Sequence, residues 1–290
     1  MSIFCFFFYL LIMQLSSTEN QAQLETITIR VSTLPSYADC PRRAAAKSFS
    51  KIISEAGFST KKLPNSIGAS VGTGVHAGAA YIMIAKRDGA NFRQADAEEI
   101  SIVKLREQTA EGNVWDTVTG NMNTAEKQTR RLTSVFYNEL APIIKPELVE
   151  NRRNAIVAPG WELSGQSDTE TIDETIRDWK TGAESRPYHS QFGGYSLLRR
   201  SQGGTKPVRL IMHHLKRVAI DKPQPPVASI EYNVATAERA AWAIIAYIMR
   251  DMRNFLKTGD PWSFPCNPMS MMCSEKYCPC YKSTFCELEK

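Results

Sequence analysis

Two β-prone segments, "NAIVAPGWELSGQSD" (154–168) and "DETIRDWKTG" (173–182), are separated by a few polar residues. A hairpin turning near Thr171–Asp173 sets Asp168 opposite or nearly opposite Asp178. Side chains alternate along a strand, so Asp178 and Lys180 share a face, with Trp179 between them on the other. Two carboxylates this close repel unless a divalent cation sits between them. Oxygen ligands suit Mg²⁺ or Mn²⁺ better than a structural zinc. Lys180 would then orient a water beside a phosphate and offset developing charge. The bland alternative is a hairpin with solvated acids and one surface ion pair.

The rest of the chain frames that pair. Before it, "DCPRRAAAKSFSKII", "GTGVHAGAAYIMIAKR", "QADAEEISIVKLREQTAEG" and "NTAEKQTRRLTSVFYNELAPII" read as helices. In the first, Asp39 is the expected cap and Pro41 an early helical residue. In the second, the helix is expected to start near Gly74. After the pair come a helix in "YHSQFGGYSLLRRSQG", strand in "KPVRLIMHHLKRVAI" and a long helix stopped by Gly259 and Pro261. The order predicts a single α/β domain over residues 31–290, with a helical N-terminal region and a cysteine-rich tail. A chain of 290 residues, 43% hydrophobic and 22% charged, supports a full core. The net charge of +5 is compatible with a polyanion partner without requiring one.

Residues 1–30 read as an N-terminal extension. The apolar run Ile3–Met13 is too short to span a bilayer, lacks the basic residues that precede a signal core, and leaves Met13 as an alternative start. No stable membrane association is expected, and the location expected is cytoplasmic.

The seven cysteines are segregated. Cys5 and Cys40 lie near the start, and Cys266, Cys273, Cys278, Cys280 and Cys286 lie within the last 25 residues. A disulfide framework is more often spread through a domain. Clustering at one end with a remote partner points to a metal or iron–sulfur site that closes the chain on itself.

The runs Gly165-Gln-Ser-Asp168, Ile176-Arg-Asp178-Trp-Lys180-Thr-Gly182 and Gln191-Phe-Gly-Gly-Tyr195, with Gly72-Thr-Gly-Val-His76 upstream, resemble the PD-(D/E)XK nuclease superfamily. They are most similar to its RecB-like and Cas4-like exonuclease branch, which includes phage recombination nucleases. The resemblance implies a restriction-endonuclease-like core, a central mixed sheet flanked by helices. It implies metal ligation by His76, Asp168, Asp178 and the Trp179 carbonyl, with Lys180 as the catalytic lysine. It also implies that Gln191 and Tyr195, one helical turn apart, hold DNA and the lysine. The family carries a further acid upstream, for which Glu147, Glu150 and Glu162 compete.

Iron–sulfur members of that branch use one cysteine before the nuclease core and three after it. The resemblance therefore implies a [4Fe–4S] cluster on Cys40, Cys273, Cys278 and Cys286, with Cys280 or Cys266 as substitutes and zinc as the alternative metal. The implied activity is Mg²⁺- or Mn²⁺-dependent hydrolysis of DNA, single- or double-stranded, in recombination, repair or phage replication. The alternative is a non-catalytic DNA-binding or assembly subunit with a nuclease-like fold. Arg42, Arg43, Arg130, Arg131, Arg199 and Arg200 are candidate phosphate contacts, and Trp161, Trp179 and Tyr195 candidate stacking residues. The chain has no G-x-x-x-x-G-K-[ST] loop. Any unwinding would fall to a partner helicase, and a single-strand annealing protein is the other expected partner.

Overall fold

A computed structural model describes residues 26–287; the readings of Ile3–Met13 and Cys5 lie outside them. A short strand, β1 (Ile27–Arg30), opens the described chain, so residues 27–30 belong to the sheet rather than to the expected extension. Three short helices follow, α1 (Leu34–Asp39), α2 (Pro41–Ser48) and α3 (Ser50–Glu55). Cys40, not Asp39, occupies the position before α2, with Pro41 in its first turn. Asp39 instead ends α1 and binds Arg43 and Ser270.

After β2 (Asn65–Ser66) comes α4 (Ile67–Arg87). It starts well before the expected Gly74, because the Ser66 side chain accepts the Ala69 N–H and caps it. α5 (Gln94–Thr109), β3 (Asn113–Val114) and α6 (Met122–Val135) complete one helical layer. Among the described residues, α4 is the helix long and apolar enough to cross a membrane. Here Ile67, Val71, Val75, Ala79 and Ile82 bury its apolar side against α5 and α6.

The sheet contains β4 (Pro146–Ala158), β5 (Trp161–Thr171), β6 (Thr175–Lys180), β7 (Arg209–His214) and β8 (Ala228–Tyr232) together with β1. β4 pairs antiparallel along one edge of β5. The other edge is shared. β1 runs parallel to its first part, from Ile27–Trp161 to Arg30–Ser164, and β6 runs antiparallel to its last part, at Thr169–Arg177 and Glu170–Ile176. Gly165 to Asp168 lie in the interval between these two ladders. β7 is parallel to β6, and β8 antiparallel to β7.

Helices α7 (His189–Ser201) and α8 (Val234–Thr258) pack on the second face, with α1–α3 and the tail. Gly259, at φ +68°, ends α8 in the left-handed conformation that glycine adopts without strain. Two cores result. One gathers Ile29, Phe192, Phe255, Phe264 and Phe285, and the other gathers the α4–α6 residues around Trp179. This is the expected α/β architecture, a central mixed sheet between helices with the cysteines at the C-terminus.

Candidate active site

The hairpin expected from sequence forms. Continuing its register of Thr169 with Arg177 sets Asp168 across from Asp178. The ladder stops there, and the Asp168 carboxylate takes over, its Oδ2 accepting the Trp179 N–H at 2.8 Å. In a strand, the N–H and C=O of one residue point to the same side. The Trp179 carbonyl therefore faces the same gap, whereas the next carbonyl, of Lys180, accepts the Leu215 N–H on the β7 side.

Asp168 is held from above as well. Its Oδ1 lies 3.0 Å from His76 Nδ1 on α4. The glycine four residues before that histidine explains how the helix comes so near. A Cβ on Gly72 would stand 2.7 Å from Thr181 Oγ1, so a side chain there would push α4 off the end of β6. One turn later the helix delivers His76.

Glu150 on β4 completes the group. The register around it, Val149 with Thr169 and Asn151 with Ser167, aligns Glu150 with Asp168. Three acids thus lie in line across β4, β5 and β6. Glu150 has a φ of +50°, a left-handed backbone conformation that costs a non-glycine residue roughly 1–3 kcal/mol. Gln166 donates a hydrogen bond to its carboxylate. One ligand atom from each of His76, Glu150 and Asp168 lies within 4.8 Å of the other two. Of the three competing glutamates, Glu150 is the one placed here. Glu147 is exposed, and Glu162 accepts from Thr28 at the start of β5. Sequence alone left this choice open, because it depends on how β4 registers against β5.

Asp178 sits apart from that compact group. Its Oδ2 lies 2.5 Å from Lys180 Nζ, and its Oδ1 accepts from the Tyr195 hydroxyl at 3.3 Å. Gln191 Nε2 donates to the same hydroxyl at 2.7 Å. Gln191 and Tyr195 therefore stand on α7 as a relay that fixes Asp178. Lys180 also faces the ring of Tyr188, 5.1 Å from its centroid, a contact no sequence signal announced.

The electrostatics follow from crowding. Burial pushes the Glu150 carboxyl up, and the neighbouring Asp168 charge pushes it further. Burial and Asp168 also raise Asp178, against the pull of Lys180. Burial lowers the His76 imidazole, but Asp168 more than reverses this, so its proton affinity is raised. Lys180 behaves alike, with burial overcome by Asp178 and Asp168. Burial and Asp178 raise Tyr195 well above its ordinary value. Converging acids of raised proton affinity are what a divalent cation relieves. Two carboxylates and an imidazole form a donor set of the hardness that Mg²⁺ or Mn²⁺ accepts.

Other candidates are placed elsewhere. Trp179 is fully buried against Phe136, Trp161 is a core residue, and Tyr195 is buried. None presents a face to an unpaired base. The six candidate phosphate arginines are already engaged. Arg42 is 1% exposed and donates to the Phe264 carbonyl, and Arg43 binds Asp39 and Ser270. Arg130 pairs with Glu98 and Glu99, and Arg131 donates to carbonyls of residues 218–222. Arg199 lies between Glu170 and Glu174, and Arg200 meets Glu238. Apart from Asp39, four residues before Arg43, these partners are distant in sequence.

The cysteines meet at a second place. Cys40, Cys266, Cys273, Cys278, Cys280 and Cys286 line one cavity, with Arg42, Arg43, Asn267 and Ser270 around them. No disulfide joins any of the six. Cys278 Sγ is 3.5 Å from Cys280 Sγ. The Cys280 thiol's hydrogen bond lowers Cys278 to about 7, and Cys280 itself is raised by its bonds to Cys278 and Cys286. The tail is hydrogen-bonded to the first helices independently of the sulfurs. Arg42 N–H donates to Pro265 O at 3.1 Å, and Asn267 Nδ2 donates to Asp39 O at 3.0 Å.

A solved structure shares this fold. A crystal structure from Eubacterium rectale, of a protein described as a candidate exonuclease, superposes with a TM-score of 0.56 at 13% identity. It covers 89% of this chain and 91% of that one. An alkaline exonuclease from Laribacter hongkongensis aligns with 64% of this chain and 96% of its own, at 11% identity and a TM-score of 0.28. No curated protein matches the chain. A family model described as the PD-(D/E)XK nuclease superfamily matches residues 28–284, nearly the whole described chain, with the cleft residues and every cysteine of the cavity but Cys286, and the protein belongs to that superfamily.

Proposed function

We propose that the protein is a Mg²⁺- or Mn²⁺-dependent deoxyribonuclease. We read it as an exonuclease of the RecB-like and Cas4-like branch that hydrolyses phosphodiester bonds at DNA ends in recombination, repair or phage replication. The observation that carries the reading is the approach of His76, Glu150 and Asp168 to within 4.8 Å of one another, beside the Asp178–Lys180 pair.

His76, Glu150 and Asp168 would hold the ion, with Asp178 and the Trp179 carbonyl bordering the same gap. When bound, a divalent ion lowers the pKa of a coordinated water and offsets the charge of the phosphate. The chain's own groups do the rest. Lys180, charged and held between Asp178 and the Tyr188 ring, presents its ammonium where a phosphoryl oxygen gains charge. Gln191 and Tyr195 keep the Asp178 carboxylate turned toward Lys180. Burial of these groups strengthens each interaction relative to water.

The cysteine cavity supports a [4Fe–4S] cluster, with zinc as the alternative, since tetrahedral thiolate sites accept either. Cys40, Cys273, Cys278 and Cys286 remain the proposed ligands, and Cys280 and Cys266 lie close enough to substitute. The cluster would tie the tail to α2. A reducing, cytoplasmic setting, where thiols stay free to hold a metal, is part of this reading. A helicase or annealing protein would supply and receive DNA ends.

The test is digestion of end-labelled linear DNA and of circular DNA with Mg²⁺ or Mn²⁺, alongside Asp168→Ala and Lys180→Ala. The expected result is stepwise shortening of linear DNA only, with both variants slower by about 10²–10³-fold. Equal rates in all three proteins would end the proposal.

A further inference from the structure

The outer face of α8 carries chemistry that the cleft does not use. The helix buries Ala237, Ala241, Ile245, Ile248, Met252 and Phe255 in the core. Every charged side chain it exposes is a cation: Arg239, Arg250, Arg253 and Lys257. Its two acids are buried and engaged. Glu238 binds Ser196 and Arg200, and Asp251 binds Tyr37 and Arg250. The same face exposes two large aromatics, Trp242 (43%) and Tyr247 (49%). The Arg250 guanidinium lies 4.9 Å from the Tyr247 ring centroid.

The N-terminal end of α8 is linked to the cleft through two tyrosines. Lys180 faces Tyr188, whose N–H donates to the Tyr232 hydroxyl at 3.2 Å, and α8 begins two residues after Tyr232. A rise of 1.5 Å per residue puts about 27 Å between Arg239 and Lys257. Cations spaced along a helix with aromatics between them match single-stranded nucleic acid, which offers regularly spaced phosphates and bases that stack. An apolar protein partner would leave Arg239, Arg253 and Lys257 without counter-charges, Arg250 alone being paired, with Asp251.

We propose that the outer face of α8 binds single-stranded DNA extending beyond the cleft, with Arg239, Arg250, Arg253 and Lys257 on phosphates and Trp242 on a base. This rests on the reading of the cleft as a DNA nuclease site, and the experiment separates the two. The full chain, an Arg239→Glu/Lys257→Glu variant and a Trp242→Ala variant are compared. Binding of labelled oligodeoxythymidylates of about 8 and about 40 nucleotides is measured by anisotropy in chelator over a salt series. Cleavage of the short oligomer is measured in Mg²⁺.

The charge-reversal variant should bind the long oligomer about tenfold or more weakly. Its salt slope should flatten by about 1.4, the loss of two single-strand phosphate contacts. Trp242→Ala should weaken long-oligomer binding about tenfold without changing the slope. Both should cleave the short oligomer at the parent rate. Long-oligomer affinities and slopes equal to the parent's, with cleavage intact, overturn the α8 proposal and leave the nuclease reading standing. A parent protein that neither binds nor cleaves DNA overturns both. Variants that change the oligomeric state but not DNA affinity assign the face to a protein and overturn the α8 proposal.

Discussion

The cleft and the cysteine cavity are both clusters of metal-ligating side chains, yet they are built in opposite ways. In the cleft each carboxylate is oriented by another part of the fold: Asp168 by Trp179 N–H and His76, Asp178 by Lys180 and Tyr195, Glu150 by Gln166. The geometry is set by the protein's own groups, at the cost of crowded charge and a left-handed Glu150. In the cavity six cysteines converge, and Cys280 hydrogen-bonds both Cys278 and Cys286. The first arrangement spends stability on a crowded position, while the second would gain stability from the proposed metal.

The largest effect should come from breaking the cleft side of that contrast. Glu150→Gln removes one proposed ligand and one of two repelling carboxylates, and keeps a side chain that Gln166 can still meet. Mg²⁺-dependent cleavage should fall by about 10²–10³-fold, or roughly 3–4 kcal/mol. The melting temperature should stay level or rise, because the raised proton affinity of Glu150 marks its charge as destabilising. A variant that loses stability along with activity would show the cleft to be a structural network.

Cys286→Ser should give the reverse pattern. The variant should lose its bound metal, seen by metal analysis and the visible spectrum, and melt lower by on the order of 5–10 °C. That shift corresponds to several kcal/mol for a chain of this size. Cleavage at 25 °C should persist, because no cysteine belongs to the cleft. Loss of cleavage in a protein still folded at 25 °C would merge the two clusters into one functional unit.

What the sequence disclosed follows the same division between local and distant causes. Asp168, Asp178 and Lys180 were legible because strand periodicity and a short hairpin determine which residues face one another. The convergence of Cys40 with the tail cysteines was legible as segregation along the chain. Glu150 was not singled out, because its selection needs the register of β4 and a backbone angle that no composition reveals. Gly193 and Gly194 would weaken an isolated helix, but α7 runs straight through them. A Cβ on Gly193 would collide with the Ala237 backbone, so the glycine allows α7 to lie directly on α8. The pairing of the candidate arginines was hidden for a related reason: Glu170, Glu238 and the carbonyls of residues 218–222 lie far from them in sequence.

The smallest predicted effect concerns a third polar cluster, at the far side of the sheet. His213 on β7 is buried, with Nε2 3.1 Å from Arg177 Nη1 and Nδ1 2.8 Å from Ser229 Oγ. Arginine only donates, so Nε2 accepts and the neutral ring carries its proton on Nδ1, which donates to Ser229. Burial and the adjacent Arg177 lower His213 to about 4. In the unfolded chain a histidine titrates near 6.5. Between those values the unfolded state binds a proton that the folded state refuses. This contribution is therefore complete above about pH 6.5, is lost as pH falls toward 4, and is flat below that. From pH 7 to pH 5 the loss is about 2 kcal/mol. Urea unfolding of the parent and His213→Gln at both pH values isolates it, since any change at the cleft or the cysteines is common to both proteins. The parent should lose about 2 kcal/mol more than the variant. Equal losses would mean that His213 is protonated in the fold and that Arg177 has moved away to allow it.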